Sequence, residues 1–277
     1  MVGGLFAPPP HDAVISSPTN PTITSVRALQ QRDQRWRARA FVVEGWRAIA
    51  DALATGARPT LVLVRVGEET LLSSLGELAG VPCRRAAANV FNRLSETVTP
   101  QGVLAVFPFP ASVPPDPATT LPLVLVLDRL RDPGNLGTLL RAAAGAGVTG
   151  VYLTPESVDP YNGKVVRAGM GAHFRLPIAT LNPDAMRVVE RTCPLRVIAE
   201  ANANVTYDAV DWRQPAMLII GSEAAGVSPP LAAIATIHAA IPLAAGVESL
   251  NAAVAGAVML FEAARQRRQM PTRQGRE

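Results

Sequence analysis

Lysine is almost absent: Lys164 is the only one in a chain of 277 residues that carries 26 Lys plus Arg. The positive charge is therefore arginine, whose planar fork of donors can grip a phosphate through two hydrogen bonds. That favours an RNA or DNA partner, although a GC-rich genome also enriches Arg, Ala, Gly and Pro whatever the function. The net charge of +4 points to an anionic partner without identifying it. Cysteine is equally scarce. Cys83 and Cys193 are too few and too distant for a metal-ligand pair or a disulfide framework, and each reads as a small packed residue. The opening MVGGLFAPPPHDAV has no basic region followed by a long apolar run, so it does not read as a secretory signal. No apolar run is long enough to cross a bilayer, because LNAAVAGAVMLFEAARQ is broken by Glu262 and Arg265. The expectation is a cytoplasmic protein with no membrane and no metal partner. At 48% hydrophobic and 17% charged residues, the composition suits a folded chain with a sizeable core.

Proline and polar runs divide the sequence. Residues 1–22, rich in Pro, Ser and Thr, read as a disordered leader. The prolines of PFPASVPPDPATTLP cannot feed a central strand or a helix interior, so residues 110–121 read as a linker. Residues 270–277 read as a polar tail. Residues 23–109 begin with a helical pattern, SVRALQQRDQRWRARA, whose end is crowded by Arg32, Arg35, Arg37 and Arg39. Apolar strands then alternate with helices, which makes a small α/β domain, and Arg84 and Arg85 add to its basic character. Residues 122–269 hold the apolar runs LPLVLVLD, GVYLTP, PLRVIAEA, AMLIIGSE and HAAIPLA. Continuous apolar runs imply strands covered on both faces, hence a mostly parallel sheet.

Gly145, Gly147 and Gly150 spell a dinucleotide fingerprint, but they follow a helix and precede a strand, the reverse of the order that chemistry needs. They read as a helix stop, which weakens a nicotinamide oxidoreductase reading. Three other segments each follow the end of an apolar strand, where α/β sheets bind ligands. In the first, Asp132-Pro133-Gly134-Asn135 is a turn before a helix, and Arg141 lies further along that helix, where it can share a pocket with the turn. Asn135 could equally be only a helix cap, with Arg141 a surface residue. In the second, a strand runs through Ile220 into Gly221, Ser222, Glu223 and Gly226. In the third, Ile241-Pro242-Leu243 ends a strand, Gly246 loosens a loop, and Ser249, Leu250 and Asn251 open a long helix of small residues with Ser249 as a plausible N-cap.

Together and in this order, the three segments resemble the SpoU-type RNA ribose methyltransferases of the SPOUT superfamily. The matching motifs are Asn135-x-Gly137-x-x-x-Arg141, Gly221-x-Glu223-x-x-Gly226, and Ile241-Pro242-Leu243 joined to Ser249-Leu250-Asn251, with Leu243 where the family often has Met. Phe41-Val42-Val43-Glu44-Gly45 resembles the accessory domain, of ribosomal protein L30e type, that many members carry. The resemblance implies an α/β SPOUT catalytic domain with a deep trefoil knot, a homodimer whose active site takes residues from both subunits, and S-adenosyl-L-methionine as cofactor. It implies backbone contacts to that cofactor from Ala199, Glu200, Ala201, Ile220, Gly221, Ser222, Gly226, Ile241, Pro242, Leu243, Ser249 and Leu250. Catalysis would fall to Arg141, with Asn135 and Asn251 orienting the ribose and Glu223 and Ser249 ordering the loops. An accessory domain of this type favours 23S ribosomal RNA over transfer RNA and assigns RNA contact to Arg32, Arg35, Arg37, Arg39, Arg84 and Arg85. A non-catalytic RNA-binding or ribosome-assembly factor of the same fold is the alternative from another class.

Overall fold

A computed structural model of the chain describes residues 13–76, 78, 80–111 and 121–270. The chain divides into two compact units, one built from residues up to Ala111 together with Asp159–Phe174, the other from Ser112–Val158 and Arg175 onward. In chain order the first stretch holds β1 (Val14–Ile15), α1 (Pro21–Ala28), α2 (Arg32–Ala38), β2 (Ala40–Glu44), α3 (Trp46–Ala54), β3 (Leu61–Arg65), α4 (Thr70–Ser74), β4 (Cys83–Ala86), α5 (Ala88–Phe91) and β5 (Val103–Pro108). There follow β6 (Leu123–Leu127), α6 (Pro133–Ala146), β7 (Gly150–Leu153), α7 (Gly163–Gly169), β8 (Ile178–Thr180), α8 (Pro183–Thr192), β9 (Leu195–Ala199), β10 (Val205–Thr206), β11 (Ala216–Ile220), α9 (Pro229–Ile234), β12 (Ile237–Ala240) and α10 (Ala252–Arg268).

The first unit is built on a five-stranded sheet of order β1-β4-β3-β5-β2. Successive side chains of a strand point to opposite faces. Leu61 and Leu63 of β3 accordingly join one apolar cluster with Ile23, Phe91 and Leu104, while Val62 between them joins another with Phe41, Ile49 and Phe107. The leader reading extends too far. Val14 and Ile15 pair in parallel with Arg85 and Ala86, and α1 begins at Pro21 behind an Asn20 cap whose side chain accepts the Thr22 N–H. Residues 1–12 of that leader, 112–120 of the Pro-rich linker and 271–277 of the polar tail lie outside the described residues.

The helical pattern around Arg32 is two helices, and Arg35 explains the break. Its Nη1 donates to the carbonyls of Leu29 at 2.8 Å and Gln30 at 2.7 Å, beyond the end of α1. These are among the carbonyls that a helix end leaves without a partner. Its Nε and Nη2 donate to Asp159 Oδ2 at 2.9 and 2.6 Å, with both side chains about 5% exposed. Arg35 is therefore a buried structural residue and not an RNA contact. Arg84, on β4, is also buried, which removes it from the RNA-facing set.

Asp159 also corrects the expected domain limits, because residues 159–174 pack with the first unit and not with the rest of 122–269. Tyr161 stacks on Phe109 with ring centroids 3.7 Å apart, and Phe174 lies against Phe41 and Phe107. His173 is buried in the same cluster, with Nε2 2.7 Å from the Pro160 carbonyl oxygen. Burial disfavours the imidazolium and pulls its pKa down from 6.5 to about 4. The unfolded chain therefore takes up the proton first, and stability falls as pH drops from about 6.5 toward 4. Chemical denaturation at pH 5 and pH 8 should show about 2 kcal/mol less stability at the lower pH from this group. His173→Phe should remove that part of the dependence, and an unchanged pH profile would refute the assignment.

The second unit carries a seven-stranded sheet of order β10-β12-β9-β11-β6-β7-β8 in which every pairing is parallel, the pattern expected of its apolar strands. Helix α10 lies on α6, where Gly256 allows close approach: a Cβ there would stand 2.5 Å from Leu139 Cδ2. Gly147 ends α6 in the left-handed region at φ 77°, so the apparent dinucleotide fingerprint is a helix stop. Among the described residues no helix is long and apolar enough to cross a membrane.

Candidate active site

Parallel strands β12, β9 and β11 are adjacent, and their C-terminal ends open on a cavity of about 500 Å³. This is the end of an α/β sheet where ligands sit, and the volume is within the range of small-molecule sites. Ile198, Ala199, Glu200 and Ala201 come from the end of β9, Ile220 and Gly221 from β11, and His238, Ala239 and Ile241 from β12 and its exit. Ser222, Glu223, Gly226, Leu243, Ser249, Leu250 and Asn251 join the wall from the loops, and Ala255 and Met259 from α10. Every residue expected to touch the cofactor is therefore gathered here except Pro242, which is exposed and does not line the cavity.

The three loops are tied by side chains. Asn135 Nδ2 donates to Glu223 Oε1, and Asn251 Nδ2 donates to Asn135 Oδ1 at 2.9 Å. Asn135 is free to do this because the cap of α6 is Asp132, whose Oδ1 accepts the Asn135 N–H at 2.7 Å. At α10 the expected cap is displaced by two residues: Asn251 holds it, accepting from Ala253 N and Val254 N, while Ser249 lines the cavity wall. Asn251 thus uses its oxygen on the helix and its amide on Asn135.

The loop after β11 is a tight hairpin in which Ser222 and Gly226 exchange backbone hydrogen bonds at 3.2 and 2.9 Å. A Cβ on Gly221 would stand 2.3 Å from the Gly226 carbonyl carbon, so no other residue fits without moving backbone. Two residues not singled out in the sequence brace this hairpin. Asp128, 1% exposed at the end of β6, accepts the Ser228 N–H at 2.6 Å. Arg129, held at φ 54° with its N–H on Thr154 Oγ1, donates Nη2 to the Gly226 carbonyl at 3.3 Å. The only signal for them was an acid and a base ending an apolar run. His238 was missed because it lies inside a strand pattern, yet its Nδ1 is 2.5 Å from Glu200 Oε2 in the cavity wall.

Arg141 departs from the expectation. Six residues along an α-helix is about 240° of rotation, so Arg141 and Asn135 do not share a face. Arg141 is exposed on α6 and does not line the cavity of the single chain. On the first unit, Arg32, Arg37 and Arg39 are exposed and Arg85 is half-buried, with the Arg39 guanidinium 5.0 Å from the Phe109 ring centroid.

The SpoU rRNA Methylase family model matches residues 122–261, and the MRM3-like substrate binding domain model matches residues 20–105. Human mitochondrial rRNA methyltransferase 3 is 34% identical over 317 residues, covering 94% of this chain and 74% of that protein. The 23S rRNA (guanosine(2553)-2'-O)-methyltransferase RlmP of Bacillus subtilis is 31% identical over 248 residues, covering 89% of this chain and 97% of its own. The crystal structure of an AdoMet-bound rRNA methyltransferase from Sinorhizobium meliloti superposes with a TM-score of 0.79 at 33% identity, covering 91% of this chain and 97% of that one.

Proposed function

The chain belongs to the SpoU rRNA methylase family, and from that premise we propose that it methylates the ribose 2′-hydroxyl of a nucleotide in 23S ribosomal RNA. The observation that carries this reading is the hydrogen-bonded chain Asn251–Asn135–Glu223, which ties the turn before α6 to two residues of the cavity wall. The cavity fits S-adenosylmethionine: Ile198, Ile220, Leu250 and Met259 give it apolar lining, and Gly221 and Gly226 let the backbone of the hairpin approach a ligand. Bound there, the cofactor supplies an electrophilic methyl group. Gly221, Ser222, Ile241, Leu243 and Leu250 form the walls that hold it, and Pro242 and Gly246 shape the loop outside.

Asn135 and Asn251 orient the ribose, and Glu223 fixes Asn135. Arg141 binds the neighbouring RNA phosphate and polarises the hydroxyl. The relative from Bacillus subtilis, named as a 2'-O-methyltransferase of 23S rRNA, supports the choice of atom and substrate. Arg32, Arg37, Arg39 and Arg85 provide RNA contacts on the first unit. The working form is a homodimer in the cytoplasm, with the segment after β12 threaded through a trefoil knot. Val254 and Phe261, 48% and 46% exposed on α10, are the apolar residues a second copy would cover.

The test is methyl transfer from labelled S-adenosylmethionine to 23S rRNA, followed by mapping of alkali-resistant linkages. One ribose-methylated nucleotide is expected; a methylated base would overturn the reading. Asn135→Ala breaks a hydrogen bond to a charged partner worth about 1.5–3 kcal/mol. Because Glu223 fixes the amide that orients the ribose, turnover should fall about tenfold to a hundredfold.

A further inference from the structure

Glu200 and His238 form a polar pair in the cavity wall that the scheme above leaves without a task. Glu200 directly follows β9 and His238 lies in β12, and these strands are neighbours with Ala199 in register with Ala239. The side chains meet with Nδ1 2.5 Å from Oε2, and they are 47% and 53% exposed. A polar contact this exposed contributes little to stability. Its effect is to orient the carboxylate, leaving Oε1 with its lone pairs available.

Among the described lining residues the charged or titratable side chains are Glu200, Glu223 and His238. Glu223 is committed to Asn135. The cavity therefore has two polar poles. The sheet order sets β9 and β12 on one side of β11, and β6, which leads to Asn135, on the other. The pole at Glu223 and Asn251, which hold Asn135, belongs to the reacting hydroxyl, which leaves the Glu200 pole for the cofactor itself. No Arg or Lys lines the described wall to pair an amino-acid carboxylate. A carboxylate offers only acceptors, and the ribose of the cofactor presents two adjacent O–H donors to it.

We propose that Glu200, positioned by His238, accepts the ribose hydroxyls of the nucleoside cofactor. This rests on the placement of the cofactor in this cavity. Glu200 touches the ligand; His238 acts through Glu200.

The test is calorimetric titration of the full chain with S-adenosylhomocysteine and with its analogue lacking both ribose hydroxyls. Glu200→Ala should weaken the first about tenfold and leave the second unchanged. His238→Ala should give part of the same loss. His238→Asn should restore it, because its amide N–H can stand where Nδ1 did. Equal losses for both ligands, or no loss for either, would overturn the ribose assignment. Ala255→Trp, which fills the cavity from α10, separates the two claims. If it abolishes binding while Glu200→Ala does not discriminate between the ligands, only the ribose assignment fails. If it leaves binding intact, the cofactor lies elsewhere and the placement fails with it.

Discussion

Arg141→Ala should lower turnover about 100- to 10,000-fold, the range over which positioned proton-transfer groups act. S-adenosylhomocysteine affinity should be unchanged. The two expectations separate because Arg141 is exposed on α6 and does not line the cavity. A guanidinium does not give up its proton at working pH, so Arg141 is no general base. Its planar fork suits a phosphate, which would bring an anionic oxygen beside the 2′-hydroxyl to take the proton. Arg141→Lys keeps the charge and loses the fork, and should fall between wild type and Ala. Single-turnover methylation of 23S rRNA, alongside calorimetry, measures both effects. Near-normal methylation by Arg141→Ala would remove this residue from the mechanism.

What the sequence made legible follows from the range of the interactions involved. Strands β6 and β11 are continuous apolar runs, and β9 is apolar but for Arg196, so their burial and parallel pairing could be read from local composition. The cavity wall was legible because residues such as Gly221, Ile241 and Leu250 lie in motifs at strand ends. The same motifs name Asn135, Glu223 and Asn251 but say nothing of the hydrogen bonds among them, which span 88 and 116 residues. Short β8, β10 and α9 escaped because two to six residues give no period to detect. Arg141 lies on α6 away from the cavity of the single chain, because six residues carry it about 240° round the helix from Asn135.

The largest loss of stability is expected from Asp159→Ala, at about 3–5 kcal/mol, because it leaves a buried guanidinium without its counter-charge. Asp159 Oδ2 receives both Nε and Nη2 of Arg35, while Oδ1 receives the Trp36 indole N–H at 3.3 Å and the Tyr161 N–H at 3.1 Å. One carboxylate thus holds Arg35 and Trp36 of α2 and the backbone of Tyr161, and through Arg35 it reaches the end of α1. The partners lie 124 residues apart, which is why Arg35 looked like one more member of a basic cluster. Arg35→Ala should cost a similar amount, and the double change to apolar residues, Arg35→Met with Asp159→Leu, should recover only part of it: no charge is left unpaired, but the Leu29 and Gln30 carbonyls and the Trp36 and Tyr161 N–H groups lose their partners. Urea unfolding of the four proteins closes the cycle. The buried pair also argues against cutting the chain at residue 110, since a fragment beginning there would keep Asp159 and lose Arg35. If Arg35→Ala instead weakens RNA binding without loss of stability, Arg35 faces the RNA after all and the buried pair is not what holds this unit together.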